Sequence, residues 1–316
     1  MYCVYIPRYA GEDCQEYLKQ HGYEVIAHEK DAEFDEDALK KCNAILLRAM
    51  PSVTEDVLAK APDLKVVARY GAGYENVDIK ACTQHHVWVT YCPTANYISV
   101  AEHALFLIMY CAKNMMYISR NFNSQNCRFE IRDMSLTDDL SGKTLCILGM
   151  GKVGRKLAEY AHALGMRIIA VDPYTDFSEL NYVEKYPDKE TALPKADFVS
   201  VNVFASDETK HYLSTKDFSK MKPTAYLINT SRGSTVSEKD LIDALQNKTI
   251  AGAGLDVFEE EPPHKENPLF SLENVVLTPH LAGATAQAIK RMGLYAAMSI
   301  DDVLSGRIPR WPLNKI

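Results

Sequence analysis

The sequence has no long apolar run and no recognisable targeting segment. Its longest apolar stretches, such as residues 104–112, fall far short of the roughly 20 residues that cross a bilayer. The first residues, Met1 to Pro7, contain neither a basic start nor a small-residue cleavage site, so no signal peptide is expected. We predict no contact with a membrane.

Paired cysteines and an excess of positive charge are also lacking. The eight cysteines are scattered, without a C-x-x-C pair and without a histidine at metal-ligand spacing. No metal site is therefore predicted, and the thiols are expected to be free and buried, as in a reducing cytoplasm. The net charge of −7 argues against nucleic acid as a partner.

What the sequence does have is length and a globular composition. A chain of 316 residues, 47% hydrophobic and 24% charged, is too long for one ordinary core and fits two soluble domains. Internal repeats and low-complexity segments are absent from the sequence, so a solenoid or propeller is excluded.

A dinucleotide-binding fingerprint lies within residues 144–172. Residues 144–148 predict a short buried strand, and residues 152–164 predict a helix. The turn between them carries the G-x-G-x-x-G spacing, with Gly149, Gly151 and Gly154. A second predicted strand, 167–171, ends at Asp172. A strand, a glycine turn, a helix and an acidic residue in this order are the context in which the fingerprint binds a dinucleotide.

Each residue type in the turn has a physical role. Gly149 permits the tight turn, Gly151 lets the backbone approach a pyrophosphate, and Gly154 lets the helix pack closely on the strand. The first N–H groups of the helix, from Lys152 and Val153 onward, are donors for the phosphates.

Asp172 predicts which cofactor is used. Its carboxylate can accept hydrogen bonds from both ribose hydroxyls and would repel a 2′-phosphate. The next residues, Pro173-Tyr174-Thr175, supply no cation to offset that repulsion, so NAD is favoured over NADP. The alternative is a glycine-rich turn followed by a surface aspartate.

Residues 1 to about 95 alternate strands and helices. Five strands are predicted, near residues 2–6, 23–27, 44–47, 64–68 and 87–91. The helix before the last of them is expected to begin at Asn76. Such alternation is typical of βαβ units and hence of a parallel sheet with helices on both faces. Ligands bind at the carboxyl ends of such strands, and two of these ends carry arginine, Arg48 and Arg69.

The alternation resumes after Asp172. Further strands are predicted near residues 197–203, 225–230, 251–257 and 275–278. With the two strands of the fingerprint they make six, the number in a doubly wound dinucleotide-binding sheet. Residues 99–114 predict a helix that is apolar almost all round, which suits a domain junction or a subunit interface. Residues 119–140 predict a loop with a short helix, and residues 285–304 a final helix.

The last three strands end in motifs with polar or ionisable groups. The motifs are Asn229-Thr230-Ser231-Arg232-Gly233, Asp256-Val257-Phe258-Glu259-Glu260-Glu261-Pro262 and Thr278-Pro279-His280-Leu281-Ala282-Gly283. All three should lie at the edge of the sheet that carries the glycine turn. An arginine, a glutamate and a histidine at that edge would equip an enzyme for hydride transfer to an oxo acid.

These motifs resemble the D-isomer-specific 2-hydroxyacid dehydrogenase family, in the group that includes phosphoglycerate, glycerate and hydroxypyruvate dehydrogenases. The resemblance runs from about Arg48 to Thr285, and the three motifs are its most specific part. Further matches are residues 71–78, Gly-Ala-Gly-Tyr-Glu-Asn-Val-Asp, and residues 96–102, Asn-Tyr-Ile-Ser-Val-Ala-Glu.

The resemblance implies roles for individual residues in catalysis and in cofactor binding. Arg232 would hold the substrate carboxylate and polarise the keto oxygen, His280 would be the general acid/base, and Glu261 would hydrogen-bond His280. Asp256 and the backbone near Thr230 would hold the nicotinamide carboxamide.

Other contacts are implied as well. Gly283 and His280 join the cofactor-binding residues. The predicted substrate-binding residues are Arg48, Arg69, Gly71, Ala72, Gly73 and Asn96, of which Arg69 is chosen from its position at a strand end and the others match the family. Within this set, residues 71–73 would cradle the substrate carboxylate through backbone N–H groups.

The resemblance also implies the architecture, which is α/β with two doubly wound parallel-sheet domains and a cleft between them. A Rossmann NAD-binding domain would span residues 97–287, and a flavodoxin-like substrate domain would combine residues 1–96 and 288–316. The implied cofactor is NAD, the substrate is a small 2-hydroxy or 2-oxo acid, and the assembly is a homodimer built largely on the cofactor domain. The chain ends too soon for the regulatory domain of many serine-pathway enzymes, so feedback by serine is not expected.

The substrate is the least decided point. Phosphoglycerate dehydrogenases resemble this chain in an arginine at the position of Arg48, and a guanidinium fork matches phosphate. We therefore take 3-phosphoglycerate and 3-phosphohydroxypyruvate as the first choice. If Arg48 and Arg69 are structural and pair with acids such as Glu75 or Asp78, hydroxypyruvate or glyoxylate is the alternative.

Two further alternatives stay open. His280 could be a capping or core histidine, Arg232 a surface ion pair, and residues 259–261 a solvated acidic run. The other eight histidines, including His103, are interpreted as structural. The chain could also be a binding module of the same fold that uses NAD occupancy as a signal, as the C-terminal-binding corepressors do.

Overall fold

The computed structural model describes residues 1–28, 33–134 and 136–316. Within them the chain divides into two compact units, one formed by Met1–Asn96 with Gly283–Ile316 and the other by Tyr97–Ala282. Residues 283–287, which the sequence assigned to the second domain, thus belong to the first unit. Close packing explains this, because a Cβ on Gly283 would lie 2.7 Å from the side-chain nitrogen of Asn96.

The first unit is built on a five-stranded sheet within the described residues. Its strands are β1 (Cys3–Ile6), β2 (Glu24–Ala27), β3 (Ala44–Leu47), β4 (Val66–Arg69) and β5 (Trp88–Thr90). The spatial order is β2-β1-β3-β4-β5, and every pairing is parallel. This is the flavodoxin-like order of a doubly wound sheet, as predicted.

The second unit is built on a longer parallel sheet. Its strands are β6 (Thr144–Leu148), β7 (Arg167–Val171), β8 (Val183–Lys185), β9 (Phe198–Val201), β10 (Tyr226–Asn229), β11 (Gly252–Leu255) and β12 (Val275–Leu277). Their order is β12-β11-β10-β9-β6-β7-β8, again with parallel pairing. Counted from β6, this is the Rossmann order 3-2-1-4-5-6 with one more strand at the β12 edge.

Helices cover both faces of each sheet. They are α1 (Glu12–Gln20), α2 (Glu36–Lys41), α3 (Glu55–Ala59), α4 (Ile79–Gln84), α5 (Tyr97–Ala112), α6 (Met115–Asn121), α7 (Lys152–Ala163), α8 (Lys189–Ala192), α9 (Thr215–Phe218), α10 (Glu238–Gln246) and α11 (Ala286–Leu304). In the first unit, α1 and α11 pack on one face and α2 to α4 on the other. In the second unit, α5 and α7 cover one face and α8 to α10 the other.

Two predictions about these elements were wrong in detail. Strand β8 was missed, because only Val183 of its three residues is buried and no apolar run marks it. The helix expected from Asn76 starts after Asp78, whose carboxylate caps it by accepting the Ala81 N–H at 2.9 Å. Asn76 stays outside because its amide nitrogen donates to the Arg48 carbonyl at 2.9 Å.

Helix α5 is long and apolar, as predicted, but it is not buried on all sides. Phe106 is 45% exposed and Met109 is 43% exposed. The stretch after it forms α6 and a 3₁₀ helix at Phe129–Asp133, and residue 135 lies outside the described part. Taking all described residues together, no helix combines the length and the apolar character that crossing a membrane requires.

Candidate active site

The glycine turn between β6 and α7 is closed by contacts that only glycine permits. Gly149 has a φ of +96°, and a Cβ there would lie 2.7 Å from the backbone of Asn202. A Cβ on Gly154 would lie 2.2 Å from the Gly149 carbonyl oxygen. At Gly151, by contrast, no described atom from elsewhere in the chain, beyond the adjacent backbone, lies within 4 Å of the position a Cβ would take. The turn is therefore tight at its two ends and open in the middle.

The amino end of α7 fits an anion. Gly151 is the N-cap residue, so no side chain caps the helix. The N–H groups of Lys152, Val153 and Gly154 accordingly have no acceptor within the helix, and the helix dipole adds partial positive charge. These donors match the pyrophosphate of a dinucleotide.

Asp172 stands at the carboxyl end of β7, as predicted. Its Oδ2 accepts the Met150 N–H at 2.7 Å, and its Oδ1 accepts the N–H groups of Tyr174 and Thr175 at 2.8 and 3.0 Å. The carboxylate thus holds both the glycine turn and its own loop. A carboxylate offers about four acceptor positions, so capacity remains for a ribose hydroxyl.

Two buried polar atoms at neighbouring strand ends have no hydrogen-bond partner among the described residues. They are Asn202 Oδ1, after β9, and Thr230 Oγ1, after β10. Buried polar atoms normally have a partner. A cofactor with ribose hydroxyls and a carboxamide fits this edge, because it brings several groups of that kind.

The turn after β10 fixes Arg232. Asn229 Oδ1 accepts the N–H and the hydroxyl of Ser231 at 3.0 and 2.9 Å, and the Asn229 side-chain nitrogen donates to the Arg232 carbonyl at 3.0 Å. A Cβ on the next residue, Gly233, would lie 1.8 Å from the Phe258 carbonyl oxygen. This close approach packs the arginine turn against the loop after β11.

Three consecutive glutamates follow β11, and each pairs with a different histidine. The pairs, with their N···O distances, are Glu259–His211 (2.5 Å), Glu260–His264 (3.1 Å) and Glu261–His280 (2.6 Å). Glu259 also anchors the loop to α10, since its Oε2 accepts the Glu238 N–H and Glu238 Oε2 accepts the Glu259 N–H, both at 3.0 Å. The alternative of a solvated acidic run fits Glu260 best, because its side chain is 69% exposed and those of Glu259 and Glu261 are 35% exposed.

Glu261 and His280 form the pair that the sequence predicts. Glu261 Oε2 lies 2.6 Å from His280 Nδ1, and Glu261 Oε1 accepts the Phe258 N–H at 3.1 Å. Burial alone would raise the pKa of Glu261, but the hydrogen bond with His280 and the charges of His280 and Arg232 outweigh burial and hold this pKa below its ordinary value. A cavity of about 270 Å³ with largely apolar walls borders both side chains. The carboxylate of Glu261 therefore stays charged beside the imidazole ring of His280.

Asp256 binds the loop that carries His280. The Asp256 carbonyl accepts the His280 N–H at 2.7 Å, and the carboxylate accepts the N–H groups of Leu281 and Ala282, both at 2.9 Å. His280 has a φ of +51°, a conformation that L residues rarely adopt, and these bonds fix it on both sides. Asp256 is 0% exposed; its contact with the nicotinamide carboxamide stays a prediction.

His103 is the residue of this region that the sequence missed. Its Nε2 lies 3.0 Å from Thr278 Oγ1 and 3.6 Å from Asp256 Oδ1. The only sequence signal was a histidine on an apolar helix, and its partner Thr278 is 175 positions away. The fold alone brings these residues together.

In the first unit, Arg69 is used within the protein. It is 8% exposed. Its Nε donates to Asn76 Oδ1 at 2.8 Å, and its Nη1 donates to the carbonyls of Tyr70 and Leu47 at 2.7 and 3.3 Å. The guanidinium thus joins the ends of β3 and β4. Its role in substrate binding stays a prediction, and the structure supports the structural alternative.

Arg48 is more accessible than Arg69. Its side chain is half-buried, with the guanidinium carbon 5.1 Å from the centroid of the Tyr70 ring. Its Nη1 donates to the Tyr9 carbonyl at 2.7 Å. Because a guanidinium has five N–H donors, this arginine keeps more capacity for an anion.

The other predicted substrate-binding residues lie nearby in the same unit. Gly71 has a φ of +125°, and its carbonyl accepts the Cys92 N–H at 2.8 Å. Gly71 and Gly73 are buried, and Ala72 is half-buried. Asn96 packs against Gly283, which places that predicted cofactor-binding glycine in the first unit.

A larger cavity lies away from all these residues. It has a volume of about 650 Å³ and is lined by Tyr110, Tyr117, Tyr226, Lys248 and Asn274, among others. Tyr226 begins β10 and Asn274 precedes β12, so this cavity lies at the amino ends of the strands. The size of this cavity does not make it the candidate active site, because Arg232, Glu261 and His280 lie at the opposite edge of the sheet.

Comparison with known proteins identifies the family. Residues 105–282 match the model of the D-isomer specific 2-hydroxyacid dehydrogenase NAD binding domain. The chain is 35% identical over 305 residues to D-3-phosphoglycerate dehydrogenase of Methanocaldococcus jannaschii, and the match covers 96% of this chain but 57% of that protein. It is 37% identical over 276 residues to glyoxylate reductase of Korarchaeum cryptofilum, covering 86% and 83% of the two chains.

Solved structures share the fold. The TT0316 protein from Thermus thermophilus superposes with a TM-score of 0.88 at 28% identity, covering 99% of this chain and 100% of that one. An NADPH-dependent glyoxylate/hydroxypyruvate reductase from Sinorhizobium meliloti gives 0.87 at 27% identity, covering 99% and 98%. The chain therefore belongs to the D-isomer specific 2-hydroxyacid dehydrogenase family, oxidoreductases that act on CH–OH donors with NAD(P).

Proposed function

We propose that this chain is an NAD-dependent dehydrogenase that interconverts a D-2-hydroxy acid and its 2-oxo acid, with 3-phosphoglycerate and 3-phosphohydroxypyruvate as the first choice. The supporting observation is the 2.6 Å contact between His280 Nδ1 and Glu261 Oε2, with the charge of Arg232 acting on the same carboxylate. A proton donor, its carboxylate partner and a cation are the groups that reduction of a carbonyl requires.

Each side chain has its own part in the reaction. When bound, the nicotinamide supplies the hydride that reaches C2 of the oxo acid. His280 is held at Nδ1 by Glu261, so its Nε2 gives the proton to the developing alkoxide. Arg232 stabilises the negative charge on that oxygen and suits the substrate carboxylate bidentately. In the direction of oxidation, His280 accepts the proton instead.

The proposed cofactor is NAD rather than NADP. Asp172 places a negative charge at the end of β7, and its three backbone donors leave acceptor capacity for ribose hydroxyls. A 2′-phosphate would be repelled by that charge. The family itself does not decide the point, because the Sinorhizobium meliloti relative is NADPH-dependent.

The substrate proposal depends on Arg48. Relatives at similar identity are named both phosphoglycerate dehydrogenase and glyoxylate reductase, so the family leaves the side chain of the acid open. Arg48 stands at the carboxyl end of β3, and one of its donors is bonded to the Tyr9 carbonyl. The remaining donors suit a phosphate, which the shorter acids lack.

The test is a substrate panel. We would measure kcat/KM with NADH for phosphohydroxypyruvate, hydroxypyruvate, glyoxylate and pyruvate, then repeat it with Arg48→Ala and with Arg167→Ala, a control at the amino end of β7. We expect phosphohydroxypyruvate to be preferred and Arg48→Ala to remove that preference while Arg167→Ala preserves it. Loss of activity on all four acids alike would contradict the phosphate role and favour hydroxypyruvate or glyoxylate.

A second candidate is an NAD-sensing module without catalysis. Its supporting observation is that the glycine turn and Asp172 follow β6 and β7, whereas the ionisable trio follows β10, β11 and β12, so dinucleotide binding at the turn does not need turnover. NADH binding in the absence of turnover with every acid of the panel would favour this candidate over the enzyme.

We also propose a homodimer formed through the second unit. Large apolar side chains exposed by 37–60% concentrate on α5 and the segment after it, namely Phe106, Met109, Met115, Phe122, Phe129 and Met134. Such a concentration is typical of protein contact surfaces. Phe129→Glu should shift the sedimenting species toward the monomer. A parent protein that already sediments as a monomer would contradict the proposal.

A cytoplasmic location is proposed from the cysteines. All eight are free thiols, and all but Cys127 are buried. Free thiols of this kind are typical of a reducing compartment.

A further inference from the structure

The loop of His280 depends on one completely buried carboxylate. Asp256 accepts hydrogen bonds from the two N–H groups directly after His280, those of Leu281 and Ala282. Its third donor is the Thr278 hydroxyl, at 2.7 Å from Oδ1. The position of His280 is therefore set by how firmly Asp256 and Thr278 are held.

The number of hydrogens on Thr278 Oγ1 decides which atom donates in the hydrogen bond between Thr278 and His103. Thr278 Oγ1 has a single hydrogen, and it donates this hydrogen to Asp256 Oδ1 at 2.7 Å. Toward His103 Nε2, at 3.0 Å, the hydroxyl can then only accept. His103 must carry a hydrogen on Nε2 and donate it to Thr278.

The surroundings of His103 fit a neutral donor. Its side chain is 13% exposed. Burial lowers the pKa of His103, although the nearby Asp256 charge acts in the opposite direction. At neutral pH the ring is therefore uncharged, and its Nε2–H tautomer is fixed by the bond to Thr278.

We propose that His103 is a positioning residue for the reaction, because it donates from α5 to Thr278 and so completes a chain of hydrogen bonds through Asp256 to the loop of His280. His103 does not touch the reacting atoms. It acts by holding Thr278 in the orientation that supports Asp256. The inference rests on the proposed function for its catalytic consequence, but not for the structural link itself.

Two substitutions of His103 test whether its N–H donor is the feature that matters. His103→Phe retains a ring but removes the N–H, whereas His103→Gln places an amide N–H at a similar reach. His162→Phe, on the exposed side of α7, controls for the substitution itself. Three quantities would be measured: kcat with NADH, the dissociation constant of NADH, and hydrogen exchange of the peptide 278–284.

We expect His103→Phe to lower kcat by about tenfold or more, the scale of a small misplacement of a reacting group. Exchange of residues 281 and 282 should speed up, and the NADH dissociation constant should stay unchanged. His103→Gln should remain near the parent in all three quantities. Parent-like kcat or parent-like exchange in His103→Phe would overturn the proposal, as would a His103→Gln variant that fails equally.

A second substitution keeps the proposal testable if His103→Phe does not fold. Thr278→Val preserves shape and removes the hydroxyl, so it should reproduce the faster exchange and the lower kcat. The double variant should be no worse than Thr278→Val alone, because both changes break one chain. Additive losses would overturn the proposal. If the parent shows no turnover, the proposed function fails, while the exchange data still decide whether His103 holds the loop.

Discussion

Arg69 of the first unit and Arg232 of the second both lie at the carboxyl end of a strand, and the two are used differently. Arg69, the last residue of β4, is 8% exposed and donates to Asn76 and to the carbonyls of Tyr70 and Leu47. Arg232, after β10, is half-buried in a turn that Asn229 already holds, and its charge lowers the pKa of Glu261. In the first unit the guanidinium joins the ends of two strands, whereas in the second unit the turn holds the backbone of Arg232 and its Nη1 donates to the adjacent Ser231 carbonyl at 2.8 Å.

The difference shows how function is distributed at strand ends. A cation whose donors are taken by carbonyls contributes stability but little chemistry. A cation held by its own turn can act on a neighbouring charge, as Arg232 does on the carboxylate of Glu261. Both arginines lie at the carboxyl end of a strand. Burial and hydrogen-bond partners therefore decide whether such an arginine stabilises the fold or takes part in the site.

The largest expected effect concerns His280. His280→Ala should lower turnover by about a hundredfold or more, the usual scale of general acid–base catalysis, while NADH binding survives. His211→Ala is the matched control, because His211 also pairs with a glutamate, at 2.5 Å, but lies outside the proposed trio. The prediction would be contradicted by near-normal turnover in His280→Ala. An equal loss of turnover in His211→Ala would also contradict it, because the His211–Glu259 pair would then matter as much as the His280–Glu261 pair.

The comparison of the arginines can be tested by making the same change in both. Arg232→Lys should lower kcat/KM by roughly tenfold to a hundredfold, since a lysine cannot replace the guanidinium fork, with little change in the unfolding temperature. Arg69→Lys should do the reverse and reduce the free energy of unfolding by about 2 kcal/mol through lost buried hydrogen bonds. Steady-state kinetics and thermal unfolding measure both. The distinction between the two arginines would be contradicted if Arg232→Lys lowered the free energy of unfolding or if Arg69→Lys lowered only kcat/KM.

Asp172 is an intermediate case, because its carboxylate supports the backbone and is also proposed to bind a ligand. Asp172→Ser combined with Tyr174→Arg should relax the preference for NADH over NADPH by about tenfold, since the repelling charge is replaced by a cation. The serine hydroxyl can still accept one backbone N–H. An unchanged preference, measured as the ratio of kcat/KM values, would mean that Asp172 serves only its loop.

The architecture was predictable because its signals are local. Alternating apolar strands and amphipathic helices predicted the parallel sheet of the first unit and six of the seven strands found in the described part of the second sheet, and the family resemblance added the flavodoxin-like order. β8 escaped because an edge strand with one buried residue carries no apolar run. The start of α4 was misplaced because Asn76 takes part in long-range bonds to the end of β3, which no local pattern shows.

The sequence indicates residue types for the candidate site, whose roles stay predictions, but it does not indicate their partners. Glu261 was distinguished from Glu259 and Glu260 only through the family resemblance, since each of the three has a histidine partner in the structure. The burial of Arg69 and the contact of His103 with Thr278 come from packing between distant segments. Such contacts leave no periodicity in the sequence.

The central claim is that Glu261 keeps His280 ready to donate a proton, and the pH dependence of kcat for oxo-acid reduction tests it most directly. The parent, Glu261→Gln and the control Glu260→Gln would be compared. Without the Glu261 carboxylate the protonated imidazole loses its stabilising charge, so reduction should fail at a lower pH than in the parent, while Glu260→Gln follows the parent. A Glu261→Gln profile that coincides with the parent's would contradict the account.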